Sequence, residues 1–153
     1  MCIRDSDTVG GFDVDYFAYF EDVDWGFRAQ LAGFRCRYVP SALLYHRGSE
    51  TLGRGITDFN GYQLWRNAIW LVAKCYPRGA LVRHLPALAR GQAGNLYVAI
   101  RERKLRVWAR AVSDALRGLP KALRKRRAVQ RSRVIPLAQL LSLIHISEPT
   151  RPY

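Results

Sequence analysis

From Glu21 onward, apolar and polar positions alternate with helical spacing: Val23, Phe27, Gln30 and Leu31 share one stripe, and Gly33 stands where such a helix would end. Glu21, Asp22 and Asp24 crowd its first turn, where the positive end of the helix dipole favours acidic side chains. Phe34–Val39 then alternates apolar and basic residues, the period of a half-buried strand, and Pro40 stops it. Ala42–His46 reads as a second short extended segment, followed by a glycine-containing loop over Arg47–Gly55. Tyr62–Lys74 returns to helical spacing but is apolar almost all round, with only Gln63, Arg66, Asn67 and Lys74 polar, so it is expected to be buried or to lie against an apolar surface. Pro77-Arg78-Gly79 breaks it. A longer helix is expected after Pro86, with Leu105, Trp108, Val112, Ala115, Leu116 and Leu119 inward and Arg106, Arg110, Ser113 and Arg117 outward. Pro120 is expected to restart the chain before Lys121–Arg133, whose seven basic residues encircle their helix.

Before the first helix, Gly10-Gly11 marks a loop leading into an aromatic stretch, Asp15–Phe20, too short to assign. No window reaches the roughly 18 consecutive apolar residues of a spanning helix; the longest strong run is Ala68–Ala73. The start lacks the basic-then-apolar layout of a secretory signal. Cys2, Cys36 and Cys75 form no CxxC pair, which argues against a zinc site or disulfide framework and makes a reducing compartment the default.

Charge changes the picture more than composition does. Hydrophobic residues at 49% and charged residues at 24% describe an ordinary folded chain and exclude a wholly disordered one. The net charge of +13 is unevenly placed: residues 1–50 carry five basic and eight acidic side chains, residues 51–141 nineteen and three. An acidic, aromatic head thus precedes a strongly basic tail, as if the two had different tasks. The tail implies an anionic partner without choosing among nucleic acid, membrane surface and phosphorylated substrate.

The candidate chemistry lies in the head. Glu21 and Asp22, adjacent carboxylates at a helix start among aromatic side chains, suit a general base, although acidic residues there are also routine caps. Asp13-Val14-Asp15 and Asp22-Val23-Asp24 each spell DxD, a metal–diphosphate pattern too short to carry weight alone. His46, closing an extended segment, is by default a packed residue, but imidazole can complete a divalent-metal site otherwise built of carboxylates.

Read in order, GGFD, an aromatic stretch, EDxD, Gly-aromatic-Arg, Gly-Phe-Arg, YVP and YH resemble the carboxyl half of the catalytic domain of family-2 glycosyltransferases, the rhamnosyltransferase-like inverting enzymes. The resemblance is close over Asp7–Arg54 and loose to Leu141. It implies an α/β remnant of a GT-A catalytic domain, its acceptor-side half at residues 7–58, followed by a mainly α-helical basic extension at 59–141. It further implies that Asp22 is the base taking the proton from the acceptor hydroxyl, with Glu21 tuning it. Gly10, Gly11, Asp13, Trp25 and Arg28 would lie along the substrate surface, Asp24 and Arg28 also pairing to hold the helix. His46 would join a divalent cation (Mg or Mn) on the donor diphosphate. Trp25 departs from the aliphatic residue expected at its position.

By the same resemblance the partners are a nucleotide-diphosphate sugar donor and a glycan or lipid-linked acceptor, at the cytoplasmic face of a bacterial membrane. Rhamnose is the sugar implied. The family's nucleotide-binding half and its metal-binding DxD lie upstream of GGFD, so this chain alone is expected to be inactive. The Trp65 and Trp70 helix and the Lys121–Arg133 cluster would suit an anionic membrane surface. The competing classes are a nucleic-acid-binding basic module, for which no recognised motif is present, and a non-catalytic membrane-associating fragment. Residues 1–6 and 142–153, containing Cys2 and His145, resemble translated sequencing-adapter read-through and are left out of the functional reading.

Overall fold

The computed structural model describes residues 7–35, 39–43, 45, 55–136 and 138–140. His46 and both adapter-like ends therefore lie outside the described residues. Four long helices carry the fold: α1 (Glu21–Leu31), α2 (Asp58–Cys75), α3 (Arg78–Arg101) and α4 (Leu105–Arg131).

The expected α/β remnant is corrected: among the described residues there is no strand and no sheet. Phe34, Arg35 and Val39 lack strand structure, as do Ala42, Leu43 and Tyr45, and Tyr45 is 93% exposed. Alternation supplies a face, but a strand also needs a neighbour to satisfy its N–H and C=O groups, and no described segment supplies one.

The helix boundaries follow local chemistry. α1 ends as its sequence demands, with Gly33 at φ +88°, its N–H donating to Gln30 O (2.9 Å) while Phe34 N–H donates to Ala29 O (3.0 Å). A side chain at Gly33 would also meet Val134 Cγ2 at 2.8 Å. α2 opens on a reciprocal cap: Thr57 Oγ1 accepts from Asn60 N–H (3.1 Å) and Asn60 Oδ1 accepts from Thr57 N–H (2.8 Å).

Both prolines fall inside helices rather than starting them, so α3 begins at Arg78 and α4 runs through Pro120. Each removes the hydrogen bond to the carbonyl four residues back. Those residues, Val82 and Leu116, are exposed, so water can take the freed carbonyl.

α2 packs along α4, and the inward face of α4 is not the leucine stripe that periodicity indicates. Ala111, Ala115, Ala122 and Val129 are buried there, whereas Leu105 and Leu116 are exposed. Small residues let the helices approach closely enough for the α2 tryptophans to fill the space. Trp65 is buried against Ala99 and Ala111, and Trp70 Nε1 donates to Ala115 O (2.9 Å). Both indoles are thus engaged within the protein. A second cluster joins Leu31 of α1 to Leu71, Cys75 and Val129, with Phe20 and Phe27 packed against it.

Gly118 belongs to this close approach. A Cβ there would lie 2.3 Å from Trp70 Cζ2. Alanine is the better helix former by ~1 kcal/mol, yet Gly118→Ala is expected to destabilise the protein by about 1–2 kcal/mol through overpacking. Urea melts give the sign directly, and a variant at least as stable would mean that the indole can move aside.

Candidate functional site

The aromatic segment that the sequence leaves unassigned is a tight loop leading into α1. Phe17, Tyr19 and Phe20 have φ of 61°, 64° and 72°. Non-glycine residues in this region cost of order 1–3 kcal/mol each and persist only where the surroundings dictate them. Here α2 does so. The Asn67 Nδ2 group donates to the carbonyls of Tyr16 (3.0 Å), Ala18 (2.9 Å) and Tyr19 (2.8 Å). Arg66 Nε donates to Asn67 Oδ1 (2.9 Å), setting the amide's orientation, and Arg66 Nη2 reaches Tyr16 O (3.1 Å). The Arg66 guanidinium also lies 4.5 Å from the Trp70 ring centroid.

Beneath this loop is a buried ionic network. Asp24, fully buried on α1, accepts from Arg28 Nε (2.8 Å) and from the Tyr16 hydroxyl (3.1 Å). Lys74, buried on α2, stands between two carboxylates, with Nζ 2.6 Å from Asp24 Oδ1 and 2.7 Å from Asp13 Oδ2. Lys125 of α4 pairs with both Asp13 and Asp15, and Lys121 with Asp15. The acidic head and basic tail are therefore bound to each other.

Burial acts to raise the Asp13 carboxyl, but hydrogen bonds from Lys125 and Lys74 prevail and hold it at about 2. Asp15 is also lowered: burial opposes the shift, and Lys121 and Lys125 outweigh it. Burial, reinforced by the Asp24 charge, pushes the Tyr16 phenol and the Cys75 thiol upward. Both remain protonated donors to Asp24, the thiol at 3.4 Å, and Cys75 is no nucleophile here.

The lowered carboxyls make a definite acid response. A depressed folded-state pKa contributes stability above the unfolded value, near 3.8 for Asp13, and loses it as pH falls toward 2. Melting temperature followed by circular dichroism is expected to drop between about pH 5 and 2, less steeply in Asp13→Asn. Equal slopes would assign the acid response to other groups.

Of the sequence-derived site residues, the structure brings Gly10, Gly11, Asp13, Trp25 and Arg28 together. Trp25 Nε1 donates to Gly10 O (2.8 Å), and Arg28 Nη2 to Gly11 O (2.7 Å). Asp24 and Arg28 form the expected intrahelical pair. A cavity of about 540 Å³ opens beside the loop, lined by Gly11, Asp13, Arg28, Lys74, Lys125 and Ser132 among others. Neither Glu21 nor Asp22 lines it.

Asp22 sits at the exposed start of α1, one turn before Trp25, and Oδ1 accepts from Val23 N–H (2.7 Å). It makes no ion pair with another described residue. Glu21 is half-buried, and its Oε2 has no hydrogen-bond partner among the described residues.

The described residues do not build a cation site. Asp13 and Asp15 are occupied by lysines, and no group of three His, Cys, Asp or Glu side chains among the described residues could hold a metal ion. The expected ligand His46 lies outside the described residues. Sequence reasoning missed Lys74, Asn67 and Arg66 as the organisers of the loop. Their signal was present: Asn60, Gln63, Asn67 and Lys74 are polar positions at helical spacing on an otherwise apolar helix, and all four are buried.

Comparison with known proteins finds short, strong similarity to rhamnosyltransferases. The chain is 52% identical over 46 residues to an N-acetylglucosaminyl-diphospho-decaprenol L-rhamnosyltransferase of Mycobacterium tuberculosis, covering 30% of this chain and 15% of that one. It is 48% identical over 48 residues to the rhamnosyltransferase WbbL of Escherichia coli, covering 30% and 18%. The chain thus spans less than a fifth of the length of these curated relatives. No family model matches it, and no solved structure does. No helix among the described residues is long and apolar enough to cross a membrane.

Proposed function

We propose that this chain is the acceptor-side segment of an inverting, rhamnosyltransferase-like glycosyltransferase of family 2, with Asp22 as the base that deprotonates the acceptor hydroxyl. The observation that carries this reading is the division of labour among the head carboxylates. Asp13, Asp15 and Asp24 are each ion-paired with a lysine or arginine brought to them by the fold, whereas Asp22 is exposed and ion-paired to no described residue. A base must reach its substrate's proton, which the exposed Asp22 can do and the three carboxylates already occupied by cations cannot.

The neighbouring geometry supports the same role. Trp25, one turn further along α1, donates to Gly10 O and so ties the Gly10–Gly11 loop to the helix that carries Asp22, and a loop without side chains lets a sugar approach. Glu21, half-buried next to it, would tune its basicity. The donor would be a nucleotide-diphosphate sugar, rhamnose by the relatives' names, and the acceptor a glycan or a lipid-linked one. Mg or Mn with His46 among its ligands belongs to the whole enzyme and to residues beyond this ionic network.

The test is Asp22→Asn in a full-length enzyme carrying this segment, measuring transfer and donor binding separately. Transfer lost with donor binding kept supports the base; both unchanged overturns it. The polypeptide described here is expected to turn over no nucleotide sugar by itself.

A further inference from the structure

The seven basic residues of Lys121–Arg133 divide sharply in the fold. Lys121 and Lys125 turn inward to the head carboxylates, leaving the arginines on the far side. There, between the start of α3 and the second half of α4, lies a groove of about 1080 Å³. Arg78, Arg124, Arg126, Arg127 and Arg133 line it, and no acidic residue does. Its floor is apolar, with Leu81, Leu119 and Leu123.

Arg126 is the least free of the five: it is half-buried and its Nη1 donates to Ala73 O (2.8 Å). Burial, and then the nearby Arg78 charge, push its pKa down. Next to the groove, sharing Ala73 with it, is an apolar cavity of about 390 Å³ walled by Ile69, Val72, Leu88, Trp108 and Val112. On α3, Val82 and Leu85 are 76% and 65% exposed.

We propose that this groove docks an anionic phospholipid of a membrane leaflet, its phosphate among the arginines and its hydrocarbon against the leucines and the adjoining apolar cavity. The charge complementarity is one-sided, since five arginines line the groove and no carboxylate does. A free phosphate would leave the apolar floor without a use. A single-stranded nucleic acid would want aromatic platforms, and no aromatic side chain lines the groove. Attachment would be peripheral, through a built pocket rather than an in-plane amphipathic helix. The proposal is independent of the transfer reaction and of Asp22.

Co-sedimentation of the chain with vesicles tests it, comparing phosphatidylglycerol mixed into phosphatidylcholine with phosphatidylcholine alone at about 0.15 M salt. Binding is expected only with the anionic lipid. The triple variant Arg78→Gln, Arg124→Gln, Arg127→Gln is expected to weaken it roughly 100-fold. A control triple with the same charge change, Arg90→Gln, Arg101→Gln, Arg106→Gln, also alters only exposed residues and is expected to cost about a few-fold at most.

Circular dichroism confirms that both variants fold as the parent does. Equal losses from the two triples would reduce the effect to net charge and overturn the site. Equal binding to neutral vesicles, displacement by millimolar inorganic phosphate, or preferential binding of an oligonucleotide over the anionic vesicles would each overturn it too.

Discussion

Replacing Lys74 by alanine is expected to lower the unfolding free energy by roughly 3–5 kcal/mol, because it removes the buried cation that bridges Asp24 and Asp13 and leaves each carboxylate short of a partner. Lys74 Nζ lies 2.6 Å from Asp24 and 2.7 Å from Asp13, and its side chain is only 3% exposed. Asp24 retains Arg28, and Asp13 retains Lys125, so the network loses its centre rather than every contact. That is why the expected loss is several kcal/mol and not complete unfolding. In a chain of this length the melting temperature should fall by about 10 °C. Asp24→Leu combined with Lys74→Met should recover part of the loss, since exchanging a buried pair for apolar side chains costs far less than breaking it. Denaturant melts of the single and double variants measure the coupling. A Lys74→Ala variant within about 0.5 kcal/mol of the parent would mean that water already screens the pair.

The second large effect concerns chemistry. In a full-length enzyme containing this segment, Asp22→Asn is expected to reduce the rate of sugar transfer by about 10²–10⁴-fold, the usual contribution of a positioned general base. The substitution preserves shape and the hydrogen bond to Val23 N–H, so α1 should keep its start. Thermal stability is expected to change little because the Asp22 side chain is exposed. Unchanged donor affinity with a lost transfer rate would place the effect on the acceptor's proton. Asp24→Asn is the informative contrast: it should cost stability first, because Asp24 is fully buried and holds Arg28 and Lys74. If the two variants lose activity and stability together, the distinction between an exposed base and a buried structural carboxylate fails.

Several elements were legible in the sequence because their determinants are local. The α1 helix, its acidic first turn and its Gly33 stop depend on spacing and backbone freedom within about a dozen residues, and all three appear in the fold, although Val23 of the expected stripe is exposed and Asp24 and Ala29 are buried instead. The α2 helix was legible for the same reason. The strands expected at Phe34–Val39 and Ala42–His46 were not realised among the described residues, because pairing depends on a partner that alternation cannot supply. Pro86 and Pro120 misled for a related reason. Whether a proline breaks a helix depends on whether the carbonyl it deprives can meet water, and that is a property of position in the fold.

The candidate site divides along the same line. The family resemblance singled out Gly10, Gly11, Asp13, Trp25 and Arg28, and the fold gathers them around one loop. Spacing also drew attention to five carboxylates in the head, and the family resemblance picked Asp22 among them. The tertiary structure adds a physical distinction: Asp22 is exposed, whereas Asp13, Asp15 and Asp24 are occupied by Lys74, Lys121, Lys125 and Arg28. The partners of Asp13 and Asp15 lie 61 to 112 positions away along the chain, and no local pattern records a distance of that kind. The sequence by itself thus determined that α1 and α2 are helices, where α1 stops and which residues could carry chemistry, since these depend on neighbours along the chain. Which carboxylate stays exposed, and that the acidic head and basic tail bind each other, were decided by packing, because a charge is neutralised by whatever the fold brings within a few ångströms of it.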